Sequence, residues 1–99
     1  MIDGRKYRTL IVGCGIAGGG VVHSDHSHAG LVARTEGLTL VAAVDKVQSR
    51  ADRVVEWFEG NAYSDLSTAL AQSRPSFVIV STPDHSHFSV VSEVLKSSF

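Results

Sequence analysis

The segment Arg8-Thr9-Leu10-Ile11-Val12 has strand character and runs straight into Gly13-Cys14-Gly15-Ile16-Ala17-Gly18. This junction limits the possible folds more than any other stretch. Glycines at G-x-G-x-x-G spacing directly after an apolar strand build a turn that exposes backbone N–H groups to an anion. In that reading Gly13 makes the sharp turn and Gly15 lets the backbone approach a pyrophosphate. Gly18 lets the following segment pack close to the strand. Cys14 takes a variable place in the turn, where a small residue packs against the helix, and no adjacent base marks it as a nucleophile.

Beyond the turn the chain alternates between the two regular periods. Gly19 to Ser27 is polar and glycine-rich and is read as a loop. A first helix is expected from His28 to about Arg34, with Leu31 and Val32 facing a sheet. Gly37 precedes Leu38-Thr39-Leu40-Val41-Ala42-Ala43-Val44, a nearly continuous apolar strand that ends at Asp45. From Ser49 to Phe58, apolar residues at Ala51, Val54, Val55 and Phe58 follow the i, i+3, i+4, i+7 spacing of a helix lying on a sheet. Ser49 with Asp52 suggests a capping box, and Gly60-Asn61 a left-handed helix end.

Ala62-Tyr63 is read as a short third strand, and Ser64 as the cap of a helix reaching about Ser73 with Leu66, Ala69 and Leu70 inward. After Pro75, Phe77-Val78-Ile79-Val80 forms a fourth strand. A last helix from about Ser86 carries Val90, Val91, Val94 and Leu95 on one face. Strands alternating with helices, and strands apolar on both faces, describe an α/β fold: a doubly wound parallel sheet of Rossmann type.

Composition excludes several alternatives. Ninety-nine residues make one domain, and 43% hydrophobic with 19% charged residues is ordinary for a globular chain. A formal net charge of −1 gives no reason to expect nucleic acid or an anionic membrane as partner. The single Cys14 precludes an internal disulfide and fits a reducing compartment. Arg5, Lys6 and Arg8 before the apolar run Leu10–Val22 imitate a signal peptide, but glycine makes a poor helical core for one. No stretch approaches a membrane span. A cytoplasmic protein is expected.

Asp45, at the end of the second strand, is placed where a carboxylate accepts hydrogen bonds from the adenosine ribose of NAD. Its charge repels the 2′-phosphate of NADP. Lys46 beside it, and Arg50, would act in the opposite sense by pairing with that phosphate. NAD is the expected cofactor, with NADP the alternative. Asp45 lies 27 residues after Gly18 (45 − 18), against about 20 in the usual pattern. An insertion at Gly19–Ser27 accounts for the surplus.

Directly after the fourth strand comes Ser81-Thr82-Pro83-Asp84-His85-Ser86-His87. The glycine turn, Leu40-Val41-Ala42-Ala43-Val44-Asp45, Tyr63-Ser64-Asp65-Leu66 and Thr82-Pro83-x-x-x-His87 occur in an order that resembles the Gfo/Idh/MocA family. This family comprises the relatives of glucose–fructose oxidoreductase and inositol dehydrogenase. The likeness runs from Arg8 to about Leu95 and includes His28-Ala29 at the first helix. It implies an NAD(P)-binding domain followed by a substrate domain, and hydride transfer at a sugar, polyol or related hydroxyl carbon. Gly13, Cys14, Gly15, Ile16, Ala17 and Gly18 would then hold the pyrophosphate, and Asp45 with Lys46 would border the adenosine ribose. Ser81, Thr82, Pro83 and His87 would line the nicotinamide end.

In the family a Gly-Lys strand and a Glu-Lys-Pro motif with a catalytic lysine come next, and neither occurs before Phe99. Residues 1–99 are therefore read as a cofactor domain truncated after its fourth strand and helix, without the substrate domain and without a catalytic residue of its own. An apolar fourth strand left at a sheet edge would favour self-association.

Two copies of one tetrapeptide, Asp25-His26-Ser27-His28 and Asp84-His85-Ser86-His87, raise the question of a metal. The family pattern already accounts for His28 and His87, and no metal site is expected. Two other functions share the glycine turn and the acidic strand end. One is a stand-alone dinucleotide-binding or regulatory module. The other is a methyltransferase, which would bind S-adenosylmethionine there and which the Thr82-Pro83-x-x-x-His87 segment argues against.

Overall fold

Four parallel strands form one sheet in the order β3-β2-β1-β4 in this computed structural model, which describes residues 7–15, 18, 27–82, 92–94 and 96. Strand β1 (Tyr7–Val12) is followed by helix α1 (His28–Ala33), β2 (Leu38–Val44) and α2 (Gln48–Trp57). Then come β3 (Asn61–Tyr63), α3 (Leu66–Ser73) and β4 (Phe77–Val80). Residues 92–94 are again helical. Each strand returns parallel to its neighbour through a helix, as expected of βαβ units.

The alternation of side chains along β1 divides the core. Ile11 joins Cys14, Ala29, Val32, Leu40, Ala43, Ala51 and Val54 under α1 and α2. Leu10 and Val12 join Ala42, Val44, Ala69, Leu70 and Val94 under α3 and the last helix. Each of the larger buried aliphatic side chains contributes about 2 kcal/mol of transfer free energy. A register shift of β1 against β2 between Thr9 and Leu10 skips Val41. This bulge places Leu40 and Ala42 on opposite faces despite their even spacing.

The helix ends differ from the sequence reading in instructive ways. Helix α2 begins at Gln48 with Val47 as N-cap, and no side chain caps it. Ser49 therefore lies inside the first turn, and Asp52 pairs with Gln48 across 3.0 Å. Gly60 has a φ of 103°, but the C-cap is Phe58 and Asn61 already belongs to β3. Helix α3 is capped by Asp65 instead of Ser64. Its carboxylate accepts the Thr68 hydroxyl at 2.6 Å and the Thr68 N–H at 2.9 Å, and these two bonds hold it below the usual carboxylate range.

In α1, Val32 is buried as expected, whereas Leu31 is 40% exposed. The buried face of α1 is made by Ala29, Gly30 and Val32, and Leu31 lies on the other side of the helix. Of the last helix's expected stripe, only Val94 falls within the described residues, and it is buried. Among the described residues, no helix is long and apolar enough to cross a membrane.

Candidate cofactor site

Because β2 and β4 flank β1 on opposite sides, the chain reverses its winding direction at β1. In open parallel sheets, ligands bind in the crevice outside the carboxyl ends of the strands at such a reversal. The glycine turn sits there. Gly13 N–H donates to Val44 O at 2.8 Å, and Ser81 N–H to Val12 O at 2.7 Å, which extends the ladder one residue past each strand end.

The turn is close-packed on two sides and open on a third. Gly13 has a φ of 97°, and a Cβ there would lie 2.7 Å from the carbonyl of Ser81. A Cβ on Gly18 would collide with the Gly13 carbonyl oxygen. Gly15, in contrast, has nothing within 4 Å of its Cβ position among the described residues. Its missing side chain leaves space for something other than protein. The Gly18 carbonyl accepts from Ala29 N–H at 3.2 Å, and Ser27 caps α1 through Gly30 N–H at 3.1 Å. The turn is thereby coupled to the start of α1.

Asp45 is the most connected side chain of the site. One carboxylate oxygen accepts Cys14 N–H at 2.7 Å, and the other accepts Val47 N–H at 2.8 Å. Lys46 is exposed beside it, and Arg50 is near enough for its charge to act on the Cys14 thiol. Cys14 itself is fully buried, its Sγ 3.5 Å from Val44 O. Burial, with the Asp45 charge adding to it, pushes the thiol up to about 12. A thiol held protonated in this way is a poor nucleophile at neutral pH.

On the β4 side, Ser81 and Thr82 are partly buried, and Thr82 Oγ1 is a buried oxygen without a hydrogen-bond partner among the described residues. His28 Nδ1, at the start of α1, is in the same condition. Buried polar atoms ordinarily have partners, and these two lack one among the described residues. An open approach at Gly15, a carboxylate on the β2 side and an orphaned hydroxyl on the β4 side fit a dinucleotide laid across the strand ends. The expectations for Ile16, Ala17, Pro83 and His87, and for the loop before Ser27, lie outside the described residues.

Sequence reasoning passed over two features. The Asp45 bond to the turn spans 31 residues and depends on β1–β2 register, so spacing alone does not show it. Its bond to Val47 was accessible, since an aspartate whose carboxylate accepts the N–H two residues on makes an Asx turn.

The comparisons with known proteins agree with this geometry. A family model described as "Oxidoreductase family, NAD-binding Rossmann fold", that of Gfo/Idh/MocA, matches residues 8–99. No curated protein sequence matches the chain. Among solved structures, the WlbA dehydrogenase from Bordetella pertussis, in complex with NADH and UDP-GlcNAcA, is 26% identical. It superposes with a TM-score of 0.79 over 97% of this chain and 26% of its own. GenD2 from gentamicin A biosynthesis, in complex with NAD, gives 24% identity and 0.80 over 93% of this chain and 24% of its own. The scyllo-inositol dehydrogenase from Lactobacillus casei with bound NAD(H) and scyllo-inositol gives 19% and 0.78 over 93% and 26%. The present sequence thus spans about a quarter of the length of these structures. With four parallel strands in Rossmann order, a glycine turn at the reversal and a family match over nearly all of its length, the chain belongs to the Gfo/Idh/MocA oxidoreductases, as their NAD-binding Rossmann unit.

Proposed function

We propose that the chain holds NAD for an oxidoreductase that moves a hydride between the nicotinamide and a hydroxyl carbon of a sugar, polyol or related substrate. Gly13 to Gly18 cradle the pyrophosphate, the open face of Gly15 being the point of closest approach. Asp45 receives the adenosine ribose hydroxyls, with Lys46 at its side. Ser81 and Thr82, followed by Pro83 and His87, border the nicotinamide end. The cofactor supplies the hydride chemistry, and these residues bind it and fix its orientation across the strand ends. A cytoplasmic location suits the single buried thiol.

The observation that carries this reading is the pairing of an open Gly15 with an unpartnered Thr82 hydroxyl at the β1–β4 reversal. The dehydrogenases above, crystallised with NAD or NADH, support it. Calorimetric titration of the purified chain tests it. NAD is expected to bind, more tightly than NADP because of the Asp45 charge, and S-adenosylmethionine is not. Binding of S-adenosylmethionine without NAD would overturn the proposal.

A further inference from the structure

We infer that Asp45 is the positioning residue of the glycine turn, a latch through which the ribose subsite and the pyrophosphate cradle move as one. The inference rests on the reading of this site as an NAD site and deepens it. The two carboxylate oxygens take backbone N–H groups from two different segments: Cys14 in the turn at 2.7 Å and Val47 before α2 at 2.8 Å. Both are charge-assisted bonds, roughly twice as strong as neutral ones. A carboxylate offers about four acceptor positions, so two remain for ribose hydroxyls while the latch is closed.

The turn is also held from beneath. Gly13 N–H and the Cys14 thiol converge on Val44 O, and Asp45 is the next residue of the same strand end. The residue that receives the ribose therefore also sets where the turn lies. Cys14 N–H is spent on Asp45, and the pyrophosphate is left to the other N–H groups of the turn. Replacing Asp45 to admit a 2′-phosphate would consequently loosen the pyrophosphate cradle as well.

Cys14 is the only cysteine and is fully buried, so its rate of labelling by an aromatic disulfide reagent reports opening of the turn. Removing the Asp45 charge alone would speed labelling by easing thiol ionisation. Asp45→Asn removes that charge and keeps an acceptor oxygen, whereas Asp45→Ala removes both. Labelling of D45A roughly fivefold faster than that of D45N, the scale of a lost neutral hydrogen bond of about 1 kcal/mol, is the expected result. Equal rates in the two variants would overturn the latch. Asp45→Glu, which keeps the charge but displaces both oxygens by a methylene, is the variant to use should D45A not fold. It is expected to label faster than the unmodified chain, and a rate equal to that of the unmodified chain would overturn the latch.

Binding separates the latch from ribose recognition. With ADP and 2′,3′-dideoxy-ADP as probes, D45A is expected to weaken both. Unchanged affinity for the dideoxy compound would overturn the latch and leave the ribose contact standing. Should the unmodified chain bind neither nucleotide, the cofactor reading fails, and the labelling rates still decide whether the latch exists.

Discussion

The two ends of β1 are built on opposite terms. At its amino end, among the described residues, Arg8 is bonded within the chain. The Arg8 guanidinium donates to Ser73 O through Nε and Nη2 at 3.1 and 2.5 Å and reaches Arg74 O at 3.4 Å. Its backbone exchanges bonds with Ser76, Arg8 N–H to Ser76 Oγ at 3.1 Å and Ser76 N–H to Arg8 O at 2.9 Å. At the carboxyl end the turn is held as firmly, yet Gly15 faces open space, and Thr82 Oγ1 and His28 Nδ1 are buried without partners among the described residues. One end ties the sheet to the C-terminus of α3, and the other keeps acceptors and space in reserve. In such a fold the unsatisfied end is where a ligand belongs.

The contrast is tested most severely by one substitution made at two places in the turn. Gly18→Ala drives a Cβ into the Gly13 carbonyl oxygen, backbone against backbone, where neither side can rotate away. The expected cost is about 3 kcal/mol or more, read as a collapse of the thermal unfolding midpoint. Gly15→Ala meets nothing within 4 Å and should leave that midpoint unchanged or slightly raised. It should weaken NAD binding by at least tenfold, about 1.4 kcal/mol, because the methyl group fills the approach to the pyrophosphate. A stable G18A or an NAD-binding G15A would show that the turn is not packed and opened as described.

The amino end makes the opposite prediction. Arg8→Ala removes the fork that satisfies the last carbonyls of α3. The loss is expected to be about 1.5 kcal/mol of stability, at the lower end for hydrogen bonds to a charged group because the arginine is exposed. Denaturant unfolding gives the loss, and NAD affinity measured under native conditions should not change. Weaker NAD binding in a folded R8A chain would mean that the two ends communicate through β1.

Much of this layout was legible in the sequence because it rests on periodicity. The continuous apolar runs of β1 and β2 follow from burial on both faces and the stripe of Ala51 and Val54 from burial of one, and the core is built on them, with Val78 and Ile79 of β4 packed against it. Residues whose role depends on two distant segments were harder to place. The Cys14–Asp45 bond exists only because β1 and β2 pair in one register, shifted by the bulge at Val41. The cap of α2 was misplaced because Asp45 turns the chain through Val47 N–H and starts the helix before Ser49. Asp65 displaced Ser64 as cap of α3 because Thr68 offers its hydroxyl as well as its N–H to the longer-reaching carboxylate. The orphaned Thr82 hydroxyl had a position in the sequence but no surroundings, and surroundings make it a candidate contact.

The smallest effect comes from the Cys14 thiol, and it reports on how tightly the carboxyl end is closed. Burial, with Asp45 next in importance, raises the thiol from 9.0 to about 12 in the folded chain. Between those values the unfolded chain has released the proton and the folded chain keeps it. The folded state then binds more protons, so stability is fully present below about pH 9 and falls as pH rises toward the folded value. Cys14→Ser presents a hydroxyl that does not ionise in this range and can donate to Val44 O where Sγ stands 3.5 Å away. Relative to C14S, the unmodified chain should lose about 0.8 kcal/mol between pH 7 and about pH 9.5. The difference between their urea unfolding curves measures this loss, and other titrating groups cancel in the subtraction. Parallel curves would mean that the thiol ionises as freely in the folded chain as in the unfolded one. The carboxyl end would then admit water beneath the turn, and the contrast between a closed turn and the open space above Gly15 would be lost.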